Sequence, residues 1–122
     1  MLTIYHNPRC SKSRGTLGII EDAGIAPEIV AYLESPPSGA RIVELAGMIG
    51  VPVRDLLRRG ESDFREAADL PDLDDDVALA DWLSAHPRAI ERPIVVDSAS
   101  GRAVIGRPPE NVNALLSQGI DS

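Results

Sequence analysis

The stretch "MLTIYHNPRCSKSRGTL" (residues 1–17) contains a change of period that sets the fold. "LTIY" (2–5) is β-branched and aromatic, as a strand requires, and "HNP" (6–8) is turn chemistry. Beyond Cys10 the apolar residues Leu17, Ile19, Ile20 and Ala23 mark the buried side of a helix that Gly24 can end. "EIVAYL" (28–33) reads as a second strand, stopped by Pro36 and Pro37 in "ESPPSG" (34–39). The link from Gly24 to Pro27 is short, so strand, helix and strand form a βαβ unit.

Three helical stretches follow. Residues 40–49 place Ile42, Leu45, Ala46 and Ile49 on one side. Pro52 suits the first turn of a second helix with Val53, Leu56 and Leu57 apolar and Gly60 closing it. The third, "DDDVALADWLSAHP" (74–87), opens on aspartates favoured by the positive end of the helix dipole and stops before Pro87, with His86 as its ending residue. "RPIVVD" (92–97) and "RAVIG" (102–106) pair as a hairpin around "SASG" (98–101), and Pro108 begins a last helix with Val112, Leu115 and Leu116. The order β-α-β, helices, β-β-α predicts an α/β fold with a mixed sheet. At 122 residues and 43% hydrophobic content, one domain over 1–122 is expected, with 35–87 as a helical insertion within it.

Charge is distributed unevenly. Arg9, Lys12 and Arg14 give the first twenty residues +3 with no Asp or Glu, so the other 102 carry −10 of the net −7. Residues 61–81 hold nine acids against Arg65, which predicts a solvated surface. That balance excludes a duplex-binding surface. No apolar run approaches the roughly 20 residues of a membrane span, and a cytoplasmic location is expected. A single cysteine closes no internal disulfide, so a reducing compartment suits it and redox chemistry needs a second thiol from elsewhere.

That cysteine, Cys10, sits at a helix start among three cations. A free cysteine is commonly a small buried hydrophobe. Here the helix start and the positive field both stabilise a thiolate, and the preceding turn leaves it reachable. The same helix end can hold an oxyanion on its unpaired N–H groups.

"YHNPRCSKSRGTL" (5–17), "YLESPP" (32–37), "VRDLLRRG" (53–60), "HP" (86–87), "RPIVV" (92–96) and "GRP" (106–108) resemble, in this order, the glutaredoxin-dependent arsenate reductases. The resemblance spans nearly the whole chain and implies a thioredoxin-like fold with a cis peptide before Pro93. It implies Cys10 as nucleophile, His6 as the histidine that lowers the thiol pKa, and Arg58, Arg92 and Arg107 as ligands of the oxyanion. Arg59 adjoins Arg58, and register alone chooses between them. A planar guanidinium suits the task because it grips an oxyanion through two parallel hydrogen bonds, and eleven of the twelve basic residues are Arg.

The implied reaction is reduction of arsenate to arsenite through a Cys10–arsenate adduct resolved by glutathione and glutaredoxin. No bound cofactor or metal is expected; glutathione is a co-substrate and the protein a monomer. "SASG" makes the segment before "GRP" two residues longer than the familiar pattern, which bears on where Arg107 falls. Two other classes stay open. The superfamily contains transcription regulators that bind RNA polymerase and sense oxidants through C-x-x-C, but "CSKS" has Ser13 at the second position and forms no such disulfide. A general glutathione-linked thiol reductase is the other, and the arginine set argues against it because a disulfide substrate carries no oxyanion.

Overall fold

Strand β1 (Leu2–His6) alternates between buried and half-buried residues, so Leu2, Ile4 and His6 face one side of a sheet. The computed structural model describes residues 2–120, with no side chains described for 117–120. The chain divides into two compact units, one comprising Met1–Ala31 with Arg92–Ser122 and the other Tyr32–Glu91.

In the first unit, helix α1 (Ser11–Asp22) crosses from β1 to β2 (Glu28–Ala31), which pairs with β1 in parallel. The hairpin follows as β3 (Ile94–Asp97) and β4 (Arg102–Ile105), and β3 lies antiparallel to both β1 and β4. The sheet order is therefore β2-β1-β3-β4, and the mixed sheet with its α1 crossover is thioredoxin-like. The hairpin turn is set by Gly101 at φ 70° and by the Gly101 N–H donating to the Asp97 carbonyl at 2.9 Å. After β4, a 3-10 turn (Pro109–Val112) leads into α5 (Asn113–Ile120). Leu2, Ile4, Ile20, Val95, Val112 and Leu115 form this unit's core. Each such side chain contributes about 1.5–3 kcal/mol by leaving water. The peptides before Pro93 and Pro108 are both cis.

The buried stripe of α1 differs from the expected one. Ser13, Thr16 and Ile20 are buried, Leu17 and Ile19 only partly, and Ala23 is exposed. Two polar residues lead the stripe because they bond to backbone groups of neighbouring segments. Strand β2 also ends earlier than predicted: its last pair is His6 with Ala31, and β1 offers no further partner once the chain turns at Asn7 and Pro8.

The second unit holds α2 (Gly39–Ile49), α3 (Ser62–Arg65) and α4 (Asp76–Ala85). The Ser38 side chain caps α2 by accepting from the Arg41 N–H at 3.1 Å, and Gly50 ends it in the left-handed region at φ 89°. The helix expected from Pro52 to Gly60 is a single 3-10 turn, Val53–Leu56. Tertiary pairing displaces it. Leu57 bridges antiparallel to Ile90, the Arg58 N–H donates to the Ala89 carbonyl at 2.7 Å, and the Glu91 N–H donates to the Leu56 carbonyl at 2.7 Å.

The acidic run is largely exposed, as expected, and several of its carboxylates also hold local structure. Asp75 caps α4 by accepting from the Ala78 N–H at 3.1 Å, Asp76 accepts from the Val53 N–H at 3.2 Å, and Asp69 accepts from the Trp82 indole at 3.3 Å. Asp74 pairs with Arg54 at 2.9 Å. His86 is the residue that ends α4, as expected. Among the described residues, no helix is long and apolar enough to cross a membrane.

Candidate active site

The turn between β1 and α1 is built to hold the thiol at the helix end. The Asn7 carboxamide oxygen accepts from the Arg9 N–H at 3.0 Å, and the Cys10 N–H donates to the Asn7 carbonyl at 3.0 Å. Cys10 thereby becomes the N-cap of α1, with extended backbone at φ −97° and ψ 124°. Its side chain makes no capping hydrogen bond, and no acid lies in the first turn. The end of the helix is left uncapped by oxygen, and a half-buried sulfur occupies the cap position.

Burial of Cys10 favours the neutral thiol. The Ser13 and Lys12 backbone N–H groups and the Arg92 guanidinium outweigh it, and the thiol pKa lies below its ordinary value. Arg107 adds a second cation, its Nη1 donating to Sγ at 3.8 Å and to the Arg92 carbonyl at 3.4 Å. Thus the structure brings Cys10, Arg92 and Arg107 together. The two-residue extension in the hairpin leaves Arg107 at the sulfur, because Asp97 pairs with Arg102 and the extra residues stay in the turn at the far end of the hairpin.

His6 stands differently from what the resemblance implies. Burial, then the positive charge of Arg14, hold its pKa below the usual value, with Glu21 opposing weakly. At neutral pH the imidazole is therefore uncharged. Its Nδ1 shares a 2.8 Å hydrogen bond with the hydroxyl of Ser13, which also accepts from the Asn7 N–H at 3.0 Å. His6 thus meets the thiol's helix through Ser13, and the cations that favour the thiolate are arginines.

Arg58 lies in the second unit. It is half-buried, its Nε pairs with Glu91 at 3.5 Å, and its Nη1 is buried with no partner among the described residues. Arg59 is exposed, so of the two Arg58 is the one fixed in place. The two do not lie on a helix, and the 100° separation of helical neighbours does not apply to them.

Sequence reasoning missed Thr16. Its hydroxyl donates to the Lys12 carbonyl at 2.8 Å and reaches the Gly106 carbonyl at 3.3 Å. A Cβ at Gly106 would overlap that hydroxyl and fall 2.8 Å from Pro93 Cγ, so only glycine fits this close approach. A Thr four residues after Lys12, in the first turn of α1, carries no pattern of its own, and the signal was the Gly of "GRP". Among the described residues, no group of three or more His, Cys, Asp or Glu side chains could hold a metal.

The sequence profile of the ArsC family matches residues 5–115, which includes Cys10, Arg92 and Arg107. The chain belongs to the ArsC family. An arsenate reductase of Neisseria meningitidis (serogroup A / serotype 4A) is 42% identical over 117 residues, covering 94% of this chain and 97% of that protein. The uncharacterized YfgD protein of Escherichia coli (strain K12) is 44% identical, covering 93% and 94%. Among solved structures, an arsenate reductase from Vibrio cholerae superposes with a TM-score of 0.82 at 42% identity, covering 93% of this ArsC-family chain and 95% of that one.

Proposed function

We propose that this chain is an oxidoreductase that reduces arsenate to arsenite, with Cys10 as nucleophile and Arg92 and Arg107 as ligands of the oxyanion. The observation that carries this reading is a thiol of lowered pKa at an open helix N-terminus, with the Arg107 guanidinium 3.8 Å from its sulfur. A helix end and two guanidiniums together bind a tetrahedral oxyanion, and a thiolate at that end is placed to attack it. Arg58 joins them in this reading as a third ligand, on the chemistry of its guanidinium and the resemblance.

Attack of the Cys10 thiolate on arsenic forms an S–As bond and releases one arsenate oxygen as water. Glutathione, as co-substrate, displaces a second oxygen as water and forms its own S–As bond. A glutaredoxin thiolate attacks the glutathione sulfur, and the electron pair of that S–As bond stays on arsenic. Arsenic passes from As(V) to As(III) as the mixed disulfide leaves. Water then releases arsenite and returns the Cys10 thiol. The protein works in this scheme as a cytoplasmic monomer without a bound cofactor. Phosphate shares arsenate's shape and charge, so the arginines bind both and reducibility separates them.

The test is arsenate-dependent NADPH consumption coupled through glutathione, glutaredoxin and glutathione reductase. Turnover that needs all three and vanishes in Cys10→Ser supports the proposal. Turnover of small disulfides with none on arsenate overturns it in favour of a general thiol reductase.

A further inference from the structure

Arg107 leaves the end of β4 on a short segment, and its usefulness depends on how that segment is held. Three groups hold it. The Gly106 N–H donates to the Pro93 carbonyl at 2.8 Å, and the Thr16 hydroxyl reaches the Gly106 carbonyl at 3.3 Å. The third comes from Asn111, in the 3-10 turn that follows. Its carboxamide nitrogen donates to the Ile105 carbonyl at 3.1 Å and to the Arg107 carbonyl at 3.2 Å. Both acceptors are carbonyl oxygens, so only the NH₂ end of the side chain satisfies them. The first two bonds fix Gly106. Among the described residues, the Asn111 amide grips the backbone of Arg107 itself from across the turn, bracketing Gly106 on both sides.

We infer that Asn111 is a positioning residue for the thiol site, holding the Arg107 backbone so that the guanidinium stays against Cys10 Sγ. The inference builds on the role proposed for Arg107 above, but it concerns the free protein and needs no arsenate to be tested. An arginine whose backbone can drift spends less time at 3.8 Å from the sulfur, and its stabilisation of the thiolate falls with distance. The Asn111 side chain is exposed and touches neither sulfur nor substrate, so it acts through Arg107 or not at all. The other groups facing Sγ stay in place when the amide is removed: Arg92 from its own loop, and the Lys12 and Ser13 N–H groups from α1. His6 meets that helix through Ser13, and Arg14 is held by its Nη1 donating to the Pro8 carbonyl at 2.9 Å.

The experiment measures the rate of Cys10 alkylation by iodoacetamide across pH in four full-length proteins: wild type, Asn111→Leu, Arg107→Gln and the double variant. Loss of a cation at this range raises a thiol midpoint by about one unit, so Arg107→Gln alkylates about tenfold more slowly at a pH below the midpoint. Asn111→Leu is expected to lose about threefold, since Arg107 still reaches the sulfur part of the time. The double variant is expected to match Arg107→Gln alone, because with the guanidinium gone the amide has nothing to position. A wild-type profile in Asn111→Leu overturns the inference, and so does a further slowing in the double variant, which marks a merely structural role. Asn111→Ala, which only deletes exposed atoms, takes the place of Asn111→Leu if thermal unfolding shows the latter to be destabilised. Failure of the wild type to reduce arsenate, with these profiles as expected, refutes the proposed reaction and leaves the role of Asn111 standing.

Discussion

Helices α1 and α4 begin in opposite ways. The first turn of α4 is closed by carboxylates: Asp75 accepts from the Ala78 N–H at 3.1 Å, and Asp76 stands in the first turn against the positive end of the dipole. At α1 the cap position is taken by Cys10, with no capping hydrogen bond, no acid in the turn, and Arg92 and Arg107 facing the sulfur. An oxygen cap contributes about 1 kcal/mol to a helix, which α4 takes and α1 forgoes. What α1 keeps instead is N–H groups aimed at a sulfur nucleophile rather than at an oxygen cap, with two cations beside them, the condition for holding an anion there. One helix end is spent on stability and the other on chemistry.

The strongest way to break that difference is to make α1 resemble α4. Cys10→Asp places a carboxylate at the cap, where it can accept from the helix N–H groups and pair with both arginines. Arsenate turnover in the coupled assay is expected to vanish, since no sulfur remains to attack. Urea unfolding at pH 7 is expected to show a gain of about 1 kcal/mol. A variant that is inactive but less stable than wild type would show that the α1 end is not an underused cap.

Arg92→Lys sharpens the comparison from the electrostatic side. It keeps the positive charge and removes the planar fork. A charge-assisted hydrogen bond contributes about 1.5–3 kcal/mol, so kcat/KM for arsenate is expected to fall about 10- to 100-fold. The alkylation midpoint of Cys10 should move little, because a cation still faces the sulfur. Equal losses in both measurements would mean that Arg92 serves the thiol rather than the oxyanion.

The reverse operation belongs at α4. Asp75→Ala removes its cap and is expected to cost about 1 kcal/mol, seen as a melting temperature lower by roughly 3–6 °C. The kcat/KM for arsenate should be unchanged. A large loss of activity without a loss of stability would place Asp75 in the chemistry and end the division of roles between the two helices.

The parts of this arrangement that were legible in the sequence are those fixed by local chemistry. The β1 turn could be read from "HNP", the helix behind Cys10 from its apolar spacing, and the hairpin from "SASG", because a turn or a helix period is written within a few residues. Long-range competition is not written that way. Val53, Leu56 and Leu57 have helical spacing, yet Leu57 leaves to bridge Ile90, and nothing near Leu57 announces a partner 33 residues on. The site divides along the same line. Cys10 could be placed at a helix end from sequence, whereas the cations that face it come from residues 92 and 107, and only the family resemblance pointed to them. The neutrality of His6 was hidden for the same reason, since it follows from burial and from Arg14 rather than from its neighbours in the strand.

His6 yields the smallest of these effects, and it concerns the same helix end. The folded imidazole has a pKa below its ordinary 6.5. The unfolded chain therefore binds the proton more readily than the native state. Native stability rises with pH through the window between the folded and unfolded values, and is constant with respect to this group above the unfolded one. As pH falls through 6.5 and below, the native state must either protonate a buried ring or unfold, at a slope of at most about 1.4 kcal/mol per pH unit. Replacing His6 with glutamine leaves an uncharged group that can still bond to Ser13. The stability of His6→Gln, measured by urea unfolding from pH 7.5 down to 5.5, is expected to lose less than that of wild type over the same range, the difference between the two curves isolating the one histidine. A steeper decline in the variant would mean that His6 is more basic in the native state than in the unfolded one. The imidazole would then be a third cation at the open end of α1, and the role implied for it by resemblance would be restored.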